Sequence, residues 1–476
     1  MIVPELSVSV IPDGARELIE FREQVYGTFP RRGDALFAAT DALLCASDRI
    51  NALAQLSLQP VFGRGHGAVY AALSSGLIDA DRFEDVLSAH RPHGWPLWFA
   101  LDVTPWERPY AHTSEQRGWV HHPMRHTNGQ PFVPGWQYQW LVQLDTARTS
   151  WTAPLQARRV PPLSDVTALA ADQIRDTVRR LGVTEQVPLF VCDAGYDPAA
   201  LTWLLWHDQP PVTPPPTIPL RASVLVRVRA GRVFARRPGP RRPGQRGTIA
   251  RHGARFACHD ATTWGAADTT YNTHDAQYGQ VSVQAWHHLH PVLSGNSSGG
   301  RYRHLPRYPI VEGSIIRVTI SDPPRRNGTQ NTHELWLWHA TTPEQPLDLD
   351  ACWRAYLRRF DIEHTFKFAK RHLGWLAPAL RHPEQADRWT HLILNAITQL
   401  RLAKRTAITA RLPWQPPQQP HQLTPGRVRT GFPTLRAMIG TPANPRRNTR
   451  PGPGRPKGPA TTRAPRHPVI KKPRKR

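Results

Sequence analysis

Cysteine is scarce: the 476 residues hold four, Cys45, Cys192, Cys258 and Cys352, and no two form a C-x-x-C pair. That pattern excludes a disulfide framework and a zinc ribbon, and it predicts reduced, mostly buried thiols. Histidines are plentiful, among them His121, His122, His287, His288 and His290, yet no cysteine and histidine set has structural-zinc spacing. No apolar run approaches the ~20 residues that span a bilayer. The opening MIVPELSVSVIPDGARE lacks the basic start of a signal peptide, so the expectation is a cytoplasmic protein with no membrane partner. Acids are also in short supply: 36 Asp and Glu stand against 61 Lys and Arg, a formal net charge of +25. Such a surplus attracts polyanions, which makes nucleic acid the natural partner.

What the chain does have is a cluster of chemistry between Trp353 and Trp375. Tyr356, Arg359, Glu363 and Lys370 follow a Y-x2-R-x3-E-x6-K spacing in WRAYLRRFDIEHTFKFAKRHLGW. On a single helix these four fall within roughly 60° of one another, which frames one carboxylate with two cations and a phenol. That grouping suits a metal ion beside a phosphate; alone, it also reads as a solvated stripe on a basic helix.

Two further acids follow apolar runs. In WPLWFALDVTPWERPYAH, Leu97 to Leu101 leads into Asp102; in VPLFVCDAGYDPAALTWLLW, Val187 to Cys192 leads into Asp193, with Gly195 allowing a tight turn before a helix near Pro198. Acids at the carboxyl ends of strands stand where α/β sheets build their sites. Asp145 also follows an apolar strand and competes with Asp102 for the first position.

Asp102 in LDVTPW, Asp193 in DAGYD and Glu363 in the Tyr-Arg-Glu-Lys segment resemble, in order, the DD(E) triad of bacterial insertion-sequence transposases. Over roughly residues 95 to 405 the chain is most similar to insertion-sequence group 701 and its relatives in group 4. The resemblance implies a ribonuclease-H-like core in which Asp102, Asp193 and Glu363 are the catalytic, metal-binding carboxylates. It implies two divalent ions, magnesium with manganese as a substitute, consistent with hard oxygen ligands and in-line phosphoryl chemistry. It assigns Tyr356, Arg359 and Lys370 to DNA phosphates near the cut. The implied partners are double-stranded DNA, as terminal inverted repeats and target, and a second copy in a synaptic homodimer. The implied setting is the bacterial cytoplasm, at the nucleoid.

The expected fold is α/β, in five parts. Residues 1–93 read as a helical amino-terminal domain, either DNA-binding or a brace on the core, with Asp79 as an N-cap. Residues 94–230 form the first part of the core, with strands at 97–103, near Trp119, at 138–144, before Asp193 and at 223–228, and helices over 164–181 and 199–207. Residues 231–347 read as a β-rich insertion holding Trp264 and Trp286, which are either core residues or base-stacking aromatics. Its Arg236 to Arg246 run reads as a phosphate-contacting loop. Residues 348–410 complete the core. The 411–476 tail is rich in proline and arginine, with twelve Lys or Arg and no acid from Pro445 on, and is expected to be disordered alone. Within it, Pro453 to Gly458 resembles an AT-hook or is a non-specific phosphate binder, and the 210–219 proline run reads as an extended connector.

The function this implies is cut-and-paste DNA transposition: cleavage at the inverted repeats and transfer of 3′-hydroxyl ends into target DNA. The alternatives are an inactive, transposase-derived regulator that binds DNA, or a metal-dependent nuclease without strand transfer.

Overall fold

The computed structural model describes residues 14–122, 131–147, 149–182, 184–207, 220–240, 247–248, 250–321, 334–342, 345–407, 419, 422–446, 458 and 463–471. Apolar residues at three and four spacing form α1 (Arg16–Gly27), α2 (Gly33–Cys45), α3 (Gly67–Ser75) and α4 (Ala80–Ala89). Asp79 caps α4 as expected, accepting from the Arg82 amide. There follow β1 (Trp98–Glu107), β2 (Gly118–His121), β3 (Phe132–Leu144), β4 (Thr152–Val160), α5 (Val166–Leu181), β5 (Leu189–Cys192), α6 (Pro198–Trp206) and β6 (Ser223–Val228). Then come β7 (Val233–Ala235), β8 (Arg255–Ala257), β9 (Thr269–Asp275), β10 (Gly279–Leu289), β11 (Gly313–Ile320) and β12 (Glu334–Thr341). The last described elements are α7 (Leu349–Arg358), α8 (Asp361–Arg371), α9 (Pro383–Ala403) and α10 (Pro425–Ile439). The architecture is mixed α/β, with a central mixed sheet and helices, compatible with the ribonuclease-H-like core that the sequence implies.

The chain divides into two compact units. The first comprises Met1–Gly94, Val103–Ser164 and Asp361–Arg476. Here β3 lies between β1 and the antiparallel β2 and β4. An aromatic core of Trp106, Trp136, Tyr138, Trp140, Trp375 and Trp389 packs beside it, with Trp140 and Trp375 centred 4.9 Å apart. Two of these buried indoles find partners within the cluster: Trp375 donates to Thr390 at 2.9 Å, and Trp389 to the Trp375 carbonyl at 2.8 Å. Gly374 makes this packing possible, because its φ is +66° and a Cβ there would lie 2.0 Å from the Ile50 carbonyl oxygen.

Around α9 the same unit gathers α1, α2, α3 and α10. Sequence reading expected no helix after residue 410, because Gly426, Gly431 and Pro433 obscure the pattern. The helix α10 forms nonetheless, with Thr424 as N-cap, Pro425 in its first turn, and Val428, Phe432 and Leu435 buried. The tail expectation is corrected at a second place. Residues 463–471 run beside the 112–117 loop: the His467 amide donates to the His112 carbonyl at 2.8 Å, the Ile470 amide to that of Arg117 at 2.8 Å, and Arg117 to the His467 carbonyl at 2.9 Å. Backbone hydrogen bonds, which no composition reveals, hold this stretch. The 453–458 segment apart from Gly458, and the 210–219 proline run, lie outside the described residues.

The second unit comprises Trp95–Asp102 and Asp165–Phe360. Its sheet runs β1, β5, β6, β12, β11, β10, β9. β1, β5 and β6 pair in parallel; from β6 to β12 and onward the pairing is antiparallel. Strands β9 to β12 of the 231–347 segment thus extend the sheet that carries Asp102, while β7 and β8 pair with each other in a separate two-stranded sheet. Val191, Leu225, Ile316 and Leu337 form its core with Cys352, Trp353 and Tyr356 of α7.

Two outcomes test this packing. In the first unit Asp41 is fully buried between Arg22, at 2.8 and 3.1 Å, and Arg436, at 3.0 Å. Removing one partner of a buried pair typically costs ~3–5 kcal/mol, whereas replacing both with apolar groups costs far less. Asp41→Ala should therefore lower the melting temperature much more than Arg22→Met, Asp41→Leu and Arg436→Met together, as differential scanning fluorimetry would report. In the second unit His339 on β12 is buried, and burial, with His287 nearby, pushes its imidazole down to about 4 from 6.5. The unfolded chain then binds the extra proton first, so this contribution is full above pH 6.5 and is lost as pH falls towards 4. The melting temperature of the wild type should drop more steeply across that window than that of His339→Leu.

Candidate active site

Strand register builds the site. Leu101 on β1 is level with Cys192 on β5, and Cys192 with Val226 on β6. Asp102, Asp193 and Arg227 are the next residues along, just past these last paired positions, on chains that the pairing holds about 4.8 Å apart. The apolar runs before each residue bury the strands and deliver these polar side chains where β5 ends. The loop after Asp193 is tied to it: the Gly195 amide donates to Asp193 Oδ1 at 2.8 Å. A Cβ on Gly195 would stand 2.9 Å from that oxygen, so a larger residue here would push the Asp193 carboxylate aside. Tyr196 is buried next in line, and burial raises its hydroxyl well above the ordinary range. Asp197 then caps α6 through the Ala200 amide at 3.0 Å.

A chain of polar contacts leads from Asp102. Arg359 donates to Asp102 Oδ2 at 3.0 Å, with both side chains largely shielded from solvent. The Tyr356 hydroxyl accepts from Arg359 and from Arg227, and burial raises its pKa. The phenol is thus both a core side chain on α7 and the joint between two arginines.

The expectation that one helix carries Tyr356, Arg359, Glu363 and Lys370 is corrected here. The segment is two helices, α7 and α8, parted at Arg359 and Phe360. The Arg359 amide splits its hydrogen bond between Ala355 at 2.9 Å and Tyr356 at 3.2 Å, and Phe360 is exposed. Each helix follows a different core: Cys352, Trp353 and Ala355 of α7 join that of the second unit, whereas Ile362, Phe366 and Ala369 of α8 are buried in the first. There Thr365 also shares a 2.7 Å hydrogen bond with Thr152 of β4. Helical spacing therefore pairs Tyr356 with Arg359, and Glu363 with Lys370 seven residues on, but does not carry across the break.

In the first unit Glu363 is exposed on the opening turn of α8. Lys370, in the last turn, donates to Thr104 Oγ1 and lies 5.7 Å from the Phe366 ring centre. Thr104 follows Asp102 by two residues on β1, the spacing that returns a strand to the same face. Asp145, the competitor for the first acid, closes a turn at the end of β3 by accepting from the Ala147 amide at 3.1 Å.

Asp102 and Asp193 offer the hard oxygen donors that suit magnesium or manganese. Asp193 keeps Oδ2 uncommitted among the described residues, while Asp102 shares Oδ2 with Arg359. Among the described residues no group of three or more His, Cys, Asp or Glu is arranged to hold a metal ion. The donor chemistry fits a divalent cation, as a pair rather than a completed set.

Of the two tryptophans singled out, Trp286 is buried in a cluster with Phe256 and Trp336. Trp264 packs on Trp336 at 5.1 Å, donates to the Ala257 carbonyl at 2.8 Å and lies under the Arg317 guanidinium at 4.8 Å. Both belong to the packing. In the basic run, Arg237 pairs with Glu312, and Arg236 lies over Phe256; residues 241–246 lie outside the described set. Sequence reading missed Arg227 and Thr104. The signal for Arg227 was a charge inside the otherwise buried strand SVLVRV; Thr104 had none.

No curated protein matches the chain. The family profile described as DDE superfamily endonuclease matches residues 24–291, more than half of the chain. That span includes Asp102 and Asp193 and stops short of Glu363. Enzymes of this family cleave nucleic acid and typically use divalent metals. The match covers more than half of the chain, and the chain belongs to the DDE superfamily endonucleases.

Proposed function

We propose that the chain is an insertion-sequence transposase of the group 701 type, which cuts DNA at its element's terminal inverted repeats and joins the 3′-hydroxyl ends to target DNA. The observation that carries this reading is the parallel register of Leu101 with Cys192, which makes Asp102 and Asp193 the next residues on adjacent chains, with Arg359 held on Asp102. The ordered motifs ending in Tyr356, Arg359, Glu363 and Lys370 support it.

In this reading Asp102, Asp193 and Glu363 are the residues that would hold two magnesium ions. When bound, these supply a deprotonated nucleophile and neutralise the leaving oxygen of an in-line displacement. Arg359 neutralises Asp102 until the carboxylate is needed as a ligand, and its guanidinium then turns to a phosphate of the cut strand. Tyr356, buried and hydrogen-bonded to Arg359 and Arg227, limits where that guanidinium can go. Lys370, held at Thr104, presents its ammonium to a second phosphate. Joining two ends calls for two copies of the chain in one complex, with repeat recognition assigned to the helices of residues 1–93.

The test is cleavage and joining of DNA carrying the element's ends, with magnesium. Asp193→Asn and Glu363→Gln should each reduce cleavage to background while leaving affinity for the same DNA in EDTA unchanged. Retained cleavage in either variant removes that residue from the metal set. Cleavage without joined product in the wild type would favour a nuclease instead. Lys370→Ala should weaken binding and lower the slope of log affinity against log salt by about one, the value for one phosphate contact.

A further inference from the structure

Immediately past Asp193 the second unit contains a cavity of about 410 Å³, walled by Tyr196, Pro198 and Val228 and lined by Arg227, Arg229 and Arg232. The arginines come from β6 and the turn after it. That turn is closed by the Arg232 amide donating to the Arg229 carbonyl at 3.0 Å, which fixes their spacing. Arg227 is half-buried just past the paired Val226, and Arg229 and Arg232 are exposed at the rim. Among the described residues no carboxylate pairs with any of the three, whereas elsewhere in this unit Arg237, Arg301, Arg317 and Arg354 all have acidic partners.

Three guanidiniums around one cavity without an acid repel one another, and an anion relieves that repulsion. The planar fork of arginine matches the two oxygens of a phosphate group. The volume sits at the small end of ligand sites, enough for a single nucleotide and too small for a folded partner. Apolar walls beside the cations suit a sugar next to its phosphate. The location adds a reason: paired carboxylates repel the strand they cut, so cations alongside them must hold it.

We propose that this cavity seats the phosphodiester of a nucleotide adjoining the scissile bond, with Arg229 and Arg232 as its principal contacts. The proposal rests on the transposase reading in naming DNA as the source of the phosphate and in placing that phosphate beside the cut.

The experiment is fluorescence anisotropy with a fluorescein-labelled duplex of arbitrary sequence, in EDTA so that no cleavage occurs, over a series of salt concentrations. The Arg229→Gln, Arg232→Gln double variant, whose altered side chains are exposed, should melt as the wild type does. It should bind about tenfold more weakly at low salt, with the salt slope reduced by about two and by about one in each single variant. Unchanged affinity and slope overturn the proposal. A second arm titrates inorganic phosphate and deoxyadenosine monophosphate and follows the melting temperature. Stabilisation of the wild type that the double variant loses, with an unaltered duplex slope, assigns the cavity to a free phosphate and overturns the DNA source. Cleavage that survives in Asp193→Asn removes the catalytic assignment but leaves the binding result standing, so the two failures are distinguishable.

Discussion

Parallel pairing of β1 with β5, and of β5 with β6, sets Leu101, Cys192 and Val226 level, and a slip of one residue at either pairing would turn a carboxylate into the core. The buried runs before Asp102 and Asp193 forbid that slip, because Phe99, Ala100, Leu101, Phe190, Val191 and Cys192 are all fully enclosed. A stiff hydrophobic sheet therefore performs the alignment, and the acids need no contact of their own to be placed.

Two carboxylates at strand spacing repel by about 3 kcal/mol at an effective dielectric of ~20, and partial burial makes each more costly still. Cations stand nearby: Arg359 pairs with Asp102, and among the described residues Arg227 hydrogen-bonds Tyr356 rather than a carboxylate. Tyr356 joins these arginines, so one buried hydroxyl links Arg227 and the Arg359–Asp102 pair to the core that α7 closes. A divalent cation is a more favourable partner for these acids than a guanidinium, because it carries twice the charge.

What the sequence made legible was whatever a single element determines. The amphipathic helices, the Asp79 cap and the strands leading to Asp102 and Asp193 all follow from local pattern and turn chemistry. Legibility ended where two elements or two cores compete. Helical spacing across Arg359 and Phe360 looked continuous because each half is amphipathic; only the different cores served by Trp353 and Phe366 reveal the break. β4 escaped notice because Pro154, Arg158 and Arg159 disguise a strand whose arginines are matched by Glu84 and Asp387. Cross-strand neighbours likewise decide that β12 pairs with β6, which no run of residues in either strand announces.

The charge surplus reads differently once the arginines are placed. Arg108, Arg117, Arg401 and Arg429 in the first unit direct their guanidiniums to backbone carbonyls, Arg117 to those of Arg108, Ser114 and His467, and Arg429 to those of Leu43 and Asp48. The five-donor fork is well suited to closing loops in this way, and lysine could not replace it. These cations stabilise loops and helix ends, and burial pulls down the pKa of Arg108 and Arg401 to about 10. A formal charge of +25 thus overstates the surface that meets DNA. The arginines that count for recognition are those without an internal carbonyl or carboxylate, and among the described residues Arg229 and Arg232 meet that condition beside Asp193.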